Sequence, residues 1–167
     1  MSVNLLLLAE APESGLQAGL ALAGDWQRDT GREARWYWPS HLDVPVALGA
    51  VNLRGISARD DPGAAIWLAL CHALALGEVP LLVCLGHSSI GLPQLRHAHQ
   101  LLAQSDAVFG FAAATDYALV GLTRAVPELF AGIPWGTNRV MSATRAQARR
   151  YGCKIGELAL APSAALG

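Results

Sequence analysis

Glu78-Val79-Pro80-Leu81-Leu82-Val83-Cys84-Leu85-Gly86-His87-Ser88-Ser89 is the stretch on which the fold turns. Residues 80–85 form an unbroken apolar run of strand length, the pattern of a strand covered on both faces in the middle of a parallel sheet rather than of a surface strand with alternating polarity. A second strand-sized segment, residues 4–8, carries the continuous leucine run Leu5-Leu6-Leu7-Leu8 and gives way to Ala9-Glu10-Ala11-Pro12 and a turn rich in Pro12, Ser14 and Gly15. The spacing predicts a short helix after that turn, a strand over residues 34–38, and a weaker apolar segment over 44–48, where Pro39 and Pro45 argue against a central hydrogen-bonded position.

Helix signals fall between these runs. Asp61-Pro62 predicts a helix start, with an N-cap carboxylate and a proline at the first helical position, and the helix should run to about Leu76 before Gly77 stops it. Residues 92–104 read as an amphipathic helix. Residues 106–113 and 117–122 read as strands whose connection is too short for a parallel crossover, so one antiparallel strand is expected. Thr137 is the expected N-cap of a last helix with Met141, Thr144, Ala148 and Tyr151 on one face and Gly152 as its left-handed stop, followed by a strand over 153–160. Strands alternating with helices, without a repeat period or linker, predict one three-layer Rossmann-like α/β domain over residues 1–167 with a mostly parallel sheet.

Composition narrows the function. The 167 residues carry 12 Lys and Arg against 13 Asp and Glu, a net charge of -1. Only 15% of the residues are charged and 53% are hydrophobic; roughly 25% charged is usual for soluble domains. Such a chain can bury enough apolar surface to fold, and it lacks the basic excess that phosphate backbones require, so nucleic acid is not an expected partner. No apolar stretch reaches the roughly 20 residues of a spanning helix, and residues 3–9 lack the basic lead of a signal peptide, so no membrane role and a cytoplasmic location are expected. Cys71, Cys84 and Cys153, odd in number and widely spaced, read as reduced buried thiols. The thin surface charge predicts self-association into a homo-oligomer.

Three places could carry chemistry. Gly86-His87-Ser88-Ser89-Ile90-Gly91 follows a central strand, where ligands of open α/β sheets bind. It approaches the G-x-S-x-G elbow of serine hydrolases, but Ile90 replaces the second glycine, and no histidine follows His99 to complete a triad. His97 and His99, two apart on a helix, point to different faces and do not make a metal pair. His72, inside an apolar helix, reads as a satisfied core or interface residue. The third place is Phe130-Ala131-Gly132-Ile133-Pro134-Trp135-Gly136-Thr137-Asn138-Arg139-Val140. Here an indole and a guanidinium bracket a helix start, which suits an anion or a cluster of sugar hydroxyls; equally, Trp135 could fill the core and Arg139 lie in solvent.

Those last residues also carry a resemblance. Residues 80–154 resemble a bacterial glycosyltransferase-like family associated with arsenosugar biosynthesis, whose members are similar to nucleotide-diphospho-sugar transferases of the GT-A fold. Residues 127–140 match its signature P-x-L-F-x-G-I-P-W-G-T-x-R-V, Leu119-Val120-Gly121-Leu122 matches a Y-x-L-I-G-L strand, and residues 9–15 match an A-K-A-P-x-x-G opening loop. The resemblance implies a GT-A-like fold and a nucleotide sugar or other small molecule as ligand. The implied contacts are Pro12, Gly15, Gly86, Ser88, Tyr117, Trp135, Gly136, Thr137 and Arg139. The departures share a theme. Ser88 stands where the family has the carboxylate of G-T-D-C-P, and Ala114-Thr115-Asp116-Tyr117 replaces D-G-G-Y, leaving Asp116 as the one candidate catalytic residue. Glu10 replaces a basic residue, and Ala161-Pro162-Ser163-Ala164 replaces D-x-D-T-P-E-D. The expectation is a transferase-like domain degenerate in its metal and diphosphate site, with Mg or Mn required only if transfer survives, or a non-catalytic binding subunit of the same fold.

Overall fold

The computed structural model describes residues 3–9, 15–39, 52–56, 62–85, 90–113, 116–135 and 137–160. Its first strand, β1 (Val3–Leu8), shows why a continuous leucine run was needed: Leu6 and Leu8 enter one hydrophobic layer, while Leu5 and Leu7 enter the other. β1 sits inside the sheet, parallel to β2 (Arg35–Pro39) on one side and to β4 (Val79–Cys84) on the other. In register Leu5 faces Leu81, Leu6 faces Leu82 and Leu7 faces Val83, so the two apolar runs that mark the fold in the sequence are neighbours.

The remaining strands are β3 (Asn52–Ile56), β5 (Ala107–Ala113), β6 (Asp116–Leu122) and β7 (Ile155–Ala159). The sheet has seven strands in the order β3-β2-β1-β4-β6-β5-β7. β6 alone is reversed, antiparallel to both β4 and β5, while β7 lies parallel to β5. The short β5–β6 connection therefore gives the one antiparallel strand that its length requires.

Helices α1 (Leu16–Thr30) and α3 (Leu92–Leu102) cover one face, placing Leu22, Trp26, Leu95, Ala98 and Leu102 against Leu5, Leu7, Leu81 and Val83. Helices α2 (Pro62–Ala75) and α4 (Val140–Arg150) cover the other with a 3-10 turn, Pro127–Phe130, placing Ile66, Leu70, Leu129, Phe130 and Val140 against Leu6, Leu82, Phe109 and Val120. Three layers result, as the alternation of elements predicts.

Several local expectations shift. α1 is not short, since it reaches Thr30 and closes on Gly31 at φ +74°. The first helical residues of α1 give little amphipathic signal because Gly19 faces the sheet, where a Cβ would lie 2.8 Å from Trp36 Cη2 and 3.0 Å from a Leu85 methyl. β3 appears where no strand was expected, while residues 44–48 lie outside the described residues. α3 ends at Leu102 and β7 spans Ile155–Ala159, both shorter than the apolar pattern suggests. Thr137 is not the N-cap of α4; that position is Arg139, without a side-chain cap. Gly77 and Gly152 do adopt positive φ after α2 and α4. Cys84 is buried, but Cys71 and Cys153 are only half-buried thiols, and Tyr151 is exposed. No helix among the described residues is long and apolar enough to cross a membrane.

Candidate functional site

The chain leaves β1 through α1 toward β2 and β3, then returns through α2 to β4 on the other side of β1. The connections thus leave β1 and β4 in opposite directions, and the carboxyl ends of strands at such a switch point are the usual ligand position of open α/β sheets. The ladder continues to its rim, with Leu85 N–H donating to the Leu8 carbonyl (2.9 Å) and Ala9 N–H to the Tyr37 carbonyl (3.0 Å). Residues 10–14 and 86–89, which hold Pro12, Gly86 and Ser88, lie outside the described residues. Gly15 is described. Its φ of +74° at the start of α1 is a left-handed conformation that disfavours a side chain, and its carbonyl accepts the Gly19 N–H at 2.8 Å.

Because β6 runs backwards, its first residue, Asp116, stands at this same carboxyl edge, paired in register with Ala113. The next residue, Tyr117, points into the core. It is buried, and its hydroxyl hydrogen-bonds Thr144 of α4, whose own hydroxyl donates to the Val140 carbonyl at 2.9 Å. Burial pushes the Tyr117 phenol well above the ordinary tyrosine range, so it stays protonated. Tyr117 thus serves the edge from behind by fixing the first turns of α4 and one side of Trp135, whose ring it meets edge-on at 5.1 Å and 86°.

Trp135 is half-buried, resting on the core cluster. Three neighbouring indole atoms, Cζ2, Cε2 and Nε1, come so close to Gly63 that a Cβ there would lie 2.6–2.8 Å from them. Thr137 locks the turn that follows: its hydroxyl donates to the Pro134 carbonyl (2.7 Å) and accepts the Arg139 N–H (3.3 Å). Arg139 is exposed and has no ion-pair partner among the described residues. Gly136 lies outside them. Of the residues singled out in the sequence, the structure therefore gathers Tyr117, Trp135, Thr137 and Arg139 in one corner, with Asp116 adjoining Tyr117 on the strand. Trp135 packs on the core cluster and remains partly accessible.

The other carboxylates of residues 62–127 are engaged at the opposite end of the sheet. Glu78, just before β4, receives a bidentate pair of 2.7 Å hydrogen bonds from Arg35 at the start of β2, and this holds its carboxyl below the usual range. Asp106, just before β5, accepts the Lys154 N–H at 2.9 Å and faces Arg124; those contacts lower its pKa in that order. Asp116 is the one left at the carboxyl edge. No group of three or more His, Cys, Asp or Glu able to hold a metal occurs among the described residues. His97 and His99 flank buried Ala98 on α3, both exposed, and His72 is hydrogen-bonded through Nδ1 to the Tyr37 hydroxyl at 2.8 Å.

Sequence reading missed Gly63. A signal was present: glycine directly after the N1 proline costs helix stability relative to alanine, which points to a close approach by another group. The group itself, Trp135, lies too far along the chain to be inferred from spacing.

A family model described as "Uncharacterized protein conserved in bacteria (DUF2064)" matches residues 52–137, just over half of the chain, from β3 through the Trp135 corner. No curated protein matches. Among solved structures, the chain is similar to a protein from Desulfovibrio desulfuricans G20 provisionally described as a nucleotide-diphospho-sugar transferase, with a TM-score of 0.71 and 21% identity over 95% of this chain and 80% of that one. That likeness establishes the shared fold.

Proposed function

This chain belongs to the DUF2064 family of bacterial proteins, and from that membership and its fold we propose a nucleotide-diphospho-sugar transferase-like protein that takes a nucleotide sugar at the carboxyl edge of the sheet. One observation carries the reading: Asp116, as the first residue of the reversed strand β6, stands at the carboxyl edge, and its neighbour Tyr117 meets the Trp135 ring edge-on. In this reading Trp135 offers a ring face, Arg139 a guanidinium without an ion-pair partner among the described residues for an anionic oxygen, and Thr137 a fixed turn between them. The resemblance adds Pro12, Gly15, Gly86, Ser88 and Gly136 as expected contacts, of which Gly15 lies among the described residues.

Transfer breaks the bond between the sugar and its diphosphate and forms one to an acceptor oxygen, so the departing diphosphate must be stabilised. Among the described residues no group of three or more His, Cys, Asp or Glu could hold a divalent cation, and Glu78 and Asp106 are bound to Arg35 and to the Lys154 N–H at the opposite end of the sheet. In this reading the site is degenerate relative to an active transferase. Glu78 and Asp106 favour the second reading, a non-catalytic binding subunit of the same fold.

Calorimetric titration with uridine, guanosine and thymidine diphosphate sugars, with and without Mg or Mn, tests the proposal. At least one is expected to bind, and Asp116→Ala to weaken it tenfold or more, about 1.4 kcal/mol. Absence of heat and of thermal shift for every sugar would sink the reading. Hydrolysis or transfer that vanishes in Asp116→Ala would refute the non-catalytic alternative; acceptors from arsenosugar chemistry belong in that assay.

Self-association and a cytoplasmic setting are finer parts of the proposal. α2 and the residue after it carry no Asp, Glu, Lys or Arg over residues 62–76, and Leu68 and Leu76 are 44% and 56% exposed. An uncharged outward face of this kind favours association. Sedimentation is expected to show a dimer or larger species that Leu68→Lys shifts toward monomer; a wild-type monomer at high concentration would count against it.

A further inference from the structure

We propose that Gly63 is a positioning residue, which seats the Trp135 indole so that its N–H and open face recognise the sugar ring of the nucleotide sugar. The inference rests on reading the carboxyl edge as the ligand site. Three contacts make the seat. Gly63, second residue of α2, lies against Cζ2, Cε2 and Nε1, where any Cβ would come within 2.6–2.8 Å. Tyr117 holds the ring edge-on, and Tyr117 is itself tied through its hydroxyl to Thr144. The Trp135 backbone N–H donates to the Ile133 carbonyl at 2.9 Å, which fixes the turn bearing the side chain.

Trp135 stays half-buried, and its indole N–H has no hydrogen-bond acceptor among the described residues. An aromatic with an apolar body and an unused polar handle matches a pyranose, which offers a C–H face beside hydroxyl oxygens. Rigid seating reduces the ordering cost of binding, and a donor that bonds one hydroxyl separates sugars that have it from sugars that lack it. The smallness of residue 63 then sets where the ring sits, and with it the sugar subsite.

The test compares each nucleotide sugar that binds the full-length protein, for example uridine diphosphate glucose or guanosine diphosphate mannose, with its parent diphosphate, UDP or GDP. Gly63→Ala is expected to weaken the nucleotide sugar tenfold or more while changing the diphosphate less than twofold, and to red-shift tryptophan emission as the displaced indole meets water. Trp135→Phe should give the same affinity split and keeps the test decisive if Gly63→Ala folds poorly. Combining the two should recover the melting temperature, because the smaller ring relieves the clash, but not the sugar contribution. Equal loss for both ligands, or no loss in either variant, overturns the proposal. Wild-type protein that binds the diphosphate as tightly as the nucleotide sugar overturns the sugar subsite alone, whereas binding of neither overturns the functional reading beneath it.

Discussion

Phe109→Ala is expected to lower the unfolding free energy by about 3–5 kcal/mol and the melting temperature by about 6–20 °C for a chain of this size. Phe109 is fully buried at the centre of β5. Its ring stacks on Phe111 at 6.0 Å, meets Tyr117 at 5.1 Å and touches Phe130 at 6.2 Å. These partners sit on two paired strands and on a 3-10 turn packed across them, so the space left by the ring cannot close by one small movement. Lost aromatic pairs add about 0.5–1.5 kcal/mol each beyond the area term. The damage reaches the candidate site, because Phe130 and Phe109 support Tyr117 and Tyr117 supports Trp135. Chemical denaturation of wild type, Phe109→Leu and Phe109→Ala should rank them in that order. A loss below about 1 kcal/mol for the alanine variant would show that the cluster is not packed as described.

Glu78→Ala should cost about 2–3 kcal/mol, less than the roughly 3–5 kcal/mol of breaking a fully buried pair. Arg35 and Glu78 side chains are 13% and 18% exposed, so the stranded guanidinium is only partly deprived of water. The Asn4 amide also reaches Glu78, and Arg32 donates to Asn4 at 3.1 Å, so one carboxylate ties β1, β2 and β4 together at their amino ends. The pH dependence follows from the same contacts. The folded state holds the Glu78 pKa below its ordinary 4.5, so the unfolded chain binds the proton more readily and stability rises with pH across that window. The contribution is complete above about pH 4.5 and is lost as pH falls through the folded value. Arg35 is pushed further up and stays charged throughout. Melting curves from pH 7 to pH 3 should converge for wild type and Glu78→Gln at the acid end; a constant gap would exclude this origin. Glu78→Leu combined with Arg35→Met should recover most of the loss.

The sheet was legible wherever burial on both faces leaves a mark in the residues themselves. Leu5-Leu6-Leu7-Leu8 and Leu81-Leu82-Val83 announce interior parallel strands because no side of them meets water. The two-residue gap after Ala113 forces the reversal of the next strand. β3 was not legible, since Asn52-Leu53-Arg54-Gly55-Ile56 has neither an apolar run nor clean alternation and is held as an edge strand by its pairing with β2. Thr137 looked like a helix cap because threonine bonds nearby amides; it does so here one turn early, on Arg139, inside the corner rather than at the helix. The corner showed its residues but not its support: Gly63 and Thr144 meet Trp135 and Tyr117 through tertiary packing that spacing does not encode. The scarcity of acids was visible as a count, and only the pairing of Glu78 with Arg35 and of Asp106 with Arg124 and Lys154 reveals that two of three serve the scaffold.

The reversed strand also bears on how the sheet is assembled. Between β5 and β6 lie only residues 114–115, whereas the connections between all other neighbouring strands are longer, the shortest of them residues 40–51. Loop-closure entropy rises with the length of chain enclosed, and pairings between distant strands slow folding. The β5–β6 hairpin is thus the one part of the sheet that forms from neighbouring residues, and it leaves two free edges: β6 for β4, which brings in β1, β2 and β3, and β5 for β7. The same reversal that brings Asp116 to the rim therefore gives β5 and β6 the lowest loop-closure cost among the described strand pairs, and the strands to either side of them come from opposite directions along the chain.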